Sequence, residues 1–463
     1  MGGSLSAPKQ VQILKTGNAA QQEKAAKALG DIARDYPDRR EYVVAAGSLP
    51  LLVDLVKKGS PRLQEVAAGA LSHIAMNQAN KAKIAEAGAI PVLIKFLKTA
   101  GVEGKGAAAA AIANLAGGCL PNQVAIAKQG GIPPLVELTQ CSMPRVKAWA
   151  AVALGNVGLQ CKESQEAVGK AGGVDALLRL LAEEPERGSE ASAPAPSLQQ
   201  QLRAACGRRQ DAASAAALHA DEPRLKELTV KAVSSLAFDH AENQRRIVES
   251  DGLRLLVGIL TGGGEAARVE AVKALCNILV HGVEAKNKFV EVGGIQALVG
   301  TAEDSKVRDL AAALLGSIGG SGSDEAGERM LEVGAIDFLV GLLGSGSDQG
   351  KQWAAAALRT LAEKHVKSKA RIADAGGIRA LAKLTGSTVG PKVAVGASRA
   401  LHALAQGNEE IERQIREAGG GAALDQVSKL GGMSMRSLGP EEAAKASESA
   451  ALVKVEEEKE EDS

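Results

Sequence analysis

Six histidines and five cysteines are the side chains with which this 463-residue chain could hold a metal or mount a nucleophilic attack. Their spacing supports neither. His73, His219, His240, His281, His365 and His402 are scattered and form no HExxH pair, and Cys119, Cys141, Cys161, Cys206 and Cys276 form no CxxC. A zinc module needs ligands at such short intervals. The glycine-rich stretches 261–264 and 319–322 follow helical patterns rather than strands and contain no GxxxxGK[ST], so they read as inter-helix loops. GxSxG is absent as well. The expectation is a protein without catalysis, metal, cofactor or small-molecule substrate. One pattern at the N-terminus does carry chemistry: Met1-Gly2-Gly3-Ser4-Leu5-Ser6 fits M-G-x-x-x-[ST], which makes Gly2 a candidate for N-myristoylation. One acyl chain anchors only marginally, and neither a nearby Cys nor a dense basic run adds a second signal. Membrane association is therefore expected only where Gly2 is acylated.

Composition narrows the partners. Lys and Arg number 55 against 54 Asp and Glu, a net charge of +1, which argues against binding nucleic acid or membrane by bulk charge. Aromatic residues make up only 2%, too few for base-stacking platforms or an aromatic-rich sandwich core. An odd number of cysteines suggests a reducing compartment, and neither a spanning apolar run nor a secretory signal is present. Cytoplasmic location is expected, with the nucleus as a second site.

The elements that must position any site are repeated. A small-Gly-x-apolar turn followed by an apolar run recurs as AGSLPLLVDLV, AGAIPVLIKFL, QGGIPPLVELT and AGGVDALLRLL, and again as SDGLRLLVGIL, VGGIQALVGTA, VGAIDFLVGLL, AGGIRALAKLT and AGGGAALDQVS. Placing the turn at Gly47, Gly88, Gly130, Gly172, Asp251, Gly293, Gly334, Gly376 and Gly419 gives steps of 41, 42, 42, 79, 42, 41, 42 and 43. About 26 residues after each turn comes an Ala/Leu segment such as VAAGALSHIA, AAAAAIANLA or VKALCNIL, with apolar residues at helical spacing. Each unit thus predicts three helices. A short first helix ends at the Gly turn, where the left-handed backbone suits glycine. A second helix follows, with Pro50 or Pro91 in its first turn in two cases. The third is long and rich in alanine. Such units bury their apolar faces only by stacking.

This three-helix unit, with its EAGAIP turn and AxxALxNLA third helix, resembles the armadillo repeat of β-catenin and importin-α. Two-helix HEAT repeats share the period but lack the Gly-Ile-Pro turn. The resemblance spans about residues 10 to 430 and implies an all-α, right-handed solenoid that serves as a protein-interaction scaffold or adaptor. Residues 1–9 are expected to be flexible, 10–182 to form the N-terminal repeats, 183–222 a largely disordered insertion, 223–431 the C-terminal repeats, and 432–463 a disordered acidic tail. Residues 10–36, with only second- and third-helix patterns, read as a cap. The tail run at 456–462 is a candidate to fold back on basic groove positions.

The resemblance also implies a site. In the family an Asn on the third helix hydrogen-bonds the backbone of an extended peptide lying in the concave groove, using donor and acceptor together. That position carries Asp31, His73, Asn114, Asn156, Ser235, Asn277, Ser317, Thr360 and Ala403 in this chain. One turn earlier, where importin-α has Trp to clamp lysine stems, stand Lys27, Gly69, Ala110, Val152, Lys231, Lys273, Ala313, Ala356 and Arg399. The missing Trp ladder disfavours a nuclear-import receptor; Trp149 and Trp353, three residues earlier still, are expected in the core. His73, Asn114, Asn156, Ser235, Asn277, Lys231, Lys273 and Arg399 are accordingly the candidate groove residues, and their cations point to protein partners with acidic extended segments.

Overall fold

The computed structural model describes residues 6–183, 222–280, 282–301, 304–321, 324–386 and 390–425. Gly2, the insertion expected at 183–222 except for its two end residues, residues 426–431 of the expected C-terminal repeats and the tail at 432–463 lie outside them. Every regular element among the described residues is helical. The nine turn positions taken from the sequence all have positive φ, from +60° at Asp251 to +85° at Gly419. Eight are glycine, the residue that enters this region without a Cβ clash, and each closes a short helix and opens the next.

The first repeat cap is a two-helix unit, Ala7–Thr16 and Ala19–Asp35; Asn18 begins the second with a reciprocal capping box to Gln21. Three-helix repeats follow. In the one spanning 78–116, the helices are Gln78–Glu86, Ala89–Thr99 and Val102–Ala116, with Gly88 at the turn. Pro50 and Pro91 lie in the first turns of Ser48–Lys58 and Ala89–Thr99, as expected.

The residues divide into two compact units, one ending at Ser250 and the other beginning at Asp251. In the first, the third helices Ala19–Asp35, Pro61–Ile74, Val102–Ala116, Pro144–Gly158 and Glu222–Ala237 pack in that order as a layer. Glu222–Ala237 thus sits against Pro144–Gly158 and also against the second helix Gly173–Ala182, closing its repeat. In the second unit the layer is Glu265–Leu279, Ser305–Ser321, Asp348–Lys364 and Pro391–Ala405.

Small residues let these helices approach. An ideal Cβ on Gly30 would lie 3.1 Å from the Cα of Ala70, on Gly155 2.8 Å from that of Ala232, and on Gly316 3.2 Å from that of Ala357. All three glycines immediately precede the ladder position of their repeats, so the close approach has the repeat's own register. The same packing corrects one reading. Gly319 and Gly320 are not loop residues but belong to helix Ser305–Ser321, where Leu361 and Thr360 of the next third helix occupy the space their side chains would need. Thr261 and Gly262 likewise end the helix Gly252–Gly262.

Candidate functional site

Third helices bury most of their circumference; the ladder residues lie along the stripe they leave partly accessible, except Asn114 and Ala403, which are buried. In the first unit this stripe forms a groove of about 300 Å³, lined by four successive third helices from Lys27 to Trp149. Gly69, Ala107 and Ala110 make a small-residue floor, and His73 and Asn114 stand beside it. A Cβ on Gly69 would meet nothing within 4 Å. Trp149 and Trp353 are largely buried, at 4% and 8% exposure, although an edge of Trp149 reaches the groove.

The groove rim is charged, and apart from the exposed Lys27 its cations are matched internally. Arg62 bridges Glu23 of the preceding third helix at 3.5 Å and Glu65 of its own at 2.5 Å. Arg145 pairs with Glu103, and Arg34 with Asp31 and Asp35 at 2.9 Å. Exposed pairs of this kind add little stability each, but they neutralise the rim and tie adjacent repeats.

Asn114 and Asn156 lie on adjacent helices, and each reaches back one repeat. Asn114 Nδ2 donates to the carbonyl and the hydroxyl oxygen of Ser72, both at 3.0 Å, and Asn156 Nδ2 donates to Ala113 O at 3.0 Å. The donor half of these amides is thus bonded inside the array, while Asn156 Oδ1 has no partner among the described residues. His73 is held neutral: burial first, then Arg34, lower its pKa from 6.5 to about 4. Ser235 Oγ turns back to Lys231 O of its own helix at 3.0 Å, as Thr360 Oγ1 does to Ala356 O at 2.9 Å.

Among the candidate cations, Lys231 is exposed with no carboxylate partner among the described residues. In the second unit, Lys273 Nζ lies 3.1 Å from Glu270, Asn277 is half-buried on the same helix, and Arg399 stands half-buried on Pro391–Ala405 with no carboxylate partner among the described residues. The structure therefore gathers His73, Asn114 and Asn156 in one region of the first unit, places Lys231 and Ser235 on the following third helix, and puts Lys273, Asn277 and Arg399 in the second unit.

A second polar ladder escaped the sequence reading. Three and four residues into the first helices, side chains reach the exposed carbonyls at third-helix C-termini. Asn122 Nδ2 donates to Leu115 O at 3.0 Å, and Asn243 Nδ2 to Leu236 O at 3.0 Å. Gln123 Nε2 joins Ala116 O at 3.1 Å to Asn156 O at 3.0 Å. Gln165 Nε2 likewise bonds Ser235 O and Phe238 O. At the equivalent position Lys81 Nζ bonds Gly117 O, and Lys286 Nζ bonds Ser317 O at 3.1 Å. Burial lowers the pKa of both lysines. Unfinished helix ends are thereby capped, and consecutive repeats are joined.

Among the described residues no group of three or more His, Cys, Asp or Glu converges as a metal site, and burial pushes the Cys276 thiol up to about 12, far from a reactive thiolate. No described helix is long and apolar enough to cross a membrane.

Comparison with known proteins agrees with the repeat geometry. The family model for the Armadillo/beta-catenin-like repeat matches residues 37–76 and 77–117. An engineered protein solved by crystallography superposes with a TM-score of 0.78 at 30% identity, over 96% of this chain and 98% of that one. A second engineered protein aligns at 27% identity and TM-score 0.48 over 59% of this chain and 96% of its own. A designed armadillo repeat protein in complex with a (KR)4 peptide aligns at 23% identity and TM-score 0.48 over 59% of this chain and 99% of its own. The comparison with curated proteins gave no match.

Proposed function

This chain belongs to the armadillo-repeat family, and on that footing we propose that it is a non-enzymatic scaffold that binds extended segments of other proteins along the exposed stripe of its third helices. The observation that carries this reading is the groove across four successive third helices, with Gly69, Ala107 and Ala110 as its floor. Small floor residues let a peptide backbone approach, and beyond this groove, one repeat after Asn114 at the same ladder position, Asn156 Oδ1 is an acceptor for N–H groups. The unpaired cation of Lys231 in the first unit and, separately, that of Arg399 in the second favour acidic side chains in a ligand of either stripe.

Gly69→Trp tests the groove without disturbing the core, because the position opens on empty space. Affinity capture from native lysate with wild type and this variant, with captured proteins identified by mass spectrometry, should show partners lost with no drop in melting temperature. Retention of every partner would overturn the groove assignment. For the acidic preference, Lys231→Glu/Lys273→Glu should weaken binding of a captured partner severalfold at low salt and less at high salt; unchanged affinity at low salt would refute it.

A further inference from the structure

Pro391–Ala405, the last third helix among the described residues, has a surface unlike the others. At the position of Ser398 the eight preceding third helices, from Ala26 to Ala355, bury Ala or Val completely, whereas Ser398 is half-buried and polar. A polar outer face is what a terminal repeat requires where no further helix stacks. Along the same helix Lys392, Val395 and Arg399 are spaced by three and four residues and share one face, with Val395 50% exposed.

Charge is uneven here as well. The stretch 366–405 holds seven Lys and Arg against Asp374 alone. Lys367 pairs with Glu328 and Arg371 with Asp337, and Lys369 bonds Gln406 O. Arg379, Lys383, Lys392 and Arg399 have no carboxylate partner among the described residues. The helix Pro391–Ala405 itself contains no acidic residue.

The chain carries the complementary segment. Its last twelve residues, LVKVEEEKEEDS, hold six acids between Glu456 and Asp462, preceded by Leu452, Val453 and Val455. Thirty-one positions separate Asp425, the last described residue, from Glu456, and a linker of that length reaches about 30 Å, enough to return to the same unit. We propose that residues 452–463 are an intramolecular ligand of this helix, with the acidic run on Lys392 and Arg399 and the preceding aliphatic residues against Val395. The tether holds the segment at millimolar effective concentration, so a weak contact occupies the face and an external acidic peptide must displace it. This rests on the reading of the third-helix stripe as a peptide-binding surface.

The test uses the full chain. A fluorescently labelled peptide of residues 452–463 is titrated by anisotropy at low salt against wild type and against a variant with the tail neutralised by Glu456→Gln, Glu457→Gln, Glu458→Gln, Glu460→Gln, Glu461→Gln and Asp462→Asn. The neutralised chain should bind about tenfold more tightly, and adding Lys392→Gln/Arg399→Gln should abolish that binding. Equal affinity of the two chains, or binding that survives loss of both cations, overturns the proposal. Carbodiimide treatment of wild type should couple a tail carboxylate to Lys392 Nζ, read in a mixture of isotopically light and heavy chains. Coupling within one chain supports the assignment, whereas light-to-heavy coupling gives the face to a second copy and overturns it. If partners are lost with Gly69→Trp while the tail variants behave alike, the tail assignment fails and peptide binding by the scaffold stands.

Discussion

Asn114 Nδ2 stands 3.0 Å from both the carbonyl oxygen and the hydroxyl of Ser72, a residue 42 positions earlier on the neighbouring third helix. An amide expected at a ligand is therefore bonded into the joint between two repeats. Asn114→Ala leaves the Ser72 oxygens without this donor at a buried site, and should destabilise the protein by about 1–3 kcal/mol. Urea denaturation followed by far-UV circular dichroism reads this directly, and an unchanged midpoint would show the joint to be dispensable.

His73 gives the first unit an acid-sensitive term. Its folded pKa of about 4 lies below the ordinary 6.5 because burial penalises the imidazolium and Arg34 repels it. Between these values the unfolded chain binds more protons than the folded one, so stability falls as pH drops below 6.5 and the loss is complete below 4. The full linkage is on the order of 3 kcal/mol. His73→Gln should flatten this limb of the stability profile, measured as urea midpoints at several pH values from 7 to 4.

Two glycines on third helices should respond oppositely to the same change. Gly155→Ala would place a methyl group 2.8 Å from Ala232 Cα, forcing Pro144–Gly158 and Glu222–Ala237 apart at a cost of about 1–3 kcal/mol. Gly69→Ala meets nothing within 4 Å and should gain about 0.5–1 kcal/mol from helix propensity. Thermal melts of the two variants should shift in opposite directions.

Asp251 occupies with φ +60° a place that eight glycines hold elsewhere in the array. Its carboxylate contacts Arg254 at 3.1 Å, but that pair is exposed and adds little. Asp251→Gly should therefore raise stability by about 0.5 kcal/mol through relief of the left-handed backbone. A lowered melting temperature would mean that the Arg254 contact outweighs the strain.

The turns and the third helices were legible in the sequence because each imposes a sharp chemical demand. A left-handed residue selects glycine, and close helix approach selects alanine at helical spacing. The ladder of Asn122 and Asn243 with Gln123 and Gln165, to which Asn80 belongs through its Nδ2 donating to Ile74 O at 3.3 Å, was not, although it has the period of the repeats. Near a helix start, Asn, Gln and Lys ordinarily mean a solvated face; only burial against the preceding helix terminus gives them carbonyls to cap. Gly319 and Gly320 were misread for a related reason. Composition marks a glycine run as a turn, but the shape of Leu361 and Thr360 on the neighbouring helix makes it a packing surface.

The contact between Pro144–Gly158 and Glu222–Ala237 has a bearing on how this chain can be rebuilt. A stacked array sets the distance between its members by surfaces that touch, not by the number of residues linking them. Here the two helices meet directly while residues 184–221 lie between them in sequence. The linking stretch is thus the point at which chain length and array spacing are uncoupled. A foreign domain whose ends lie close together can be spliced in there as a passenger, and two polypeptides divided there retain between them both faces needed to reassemble.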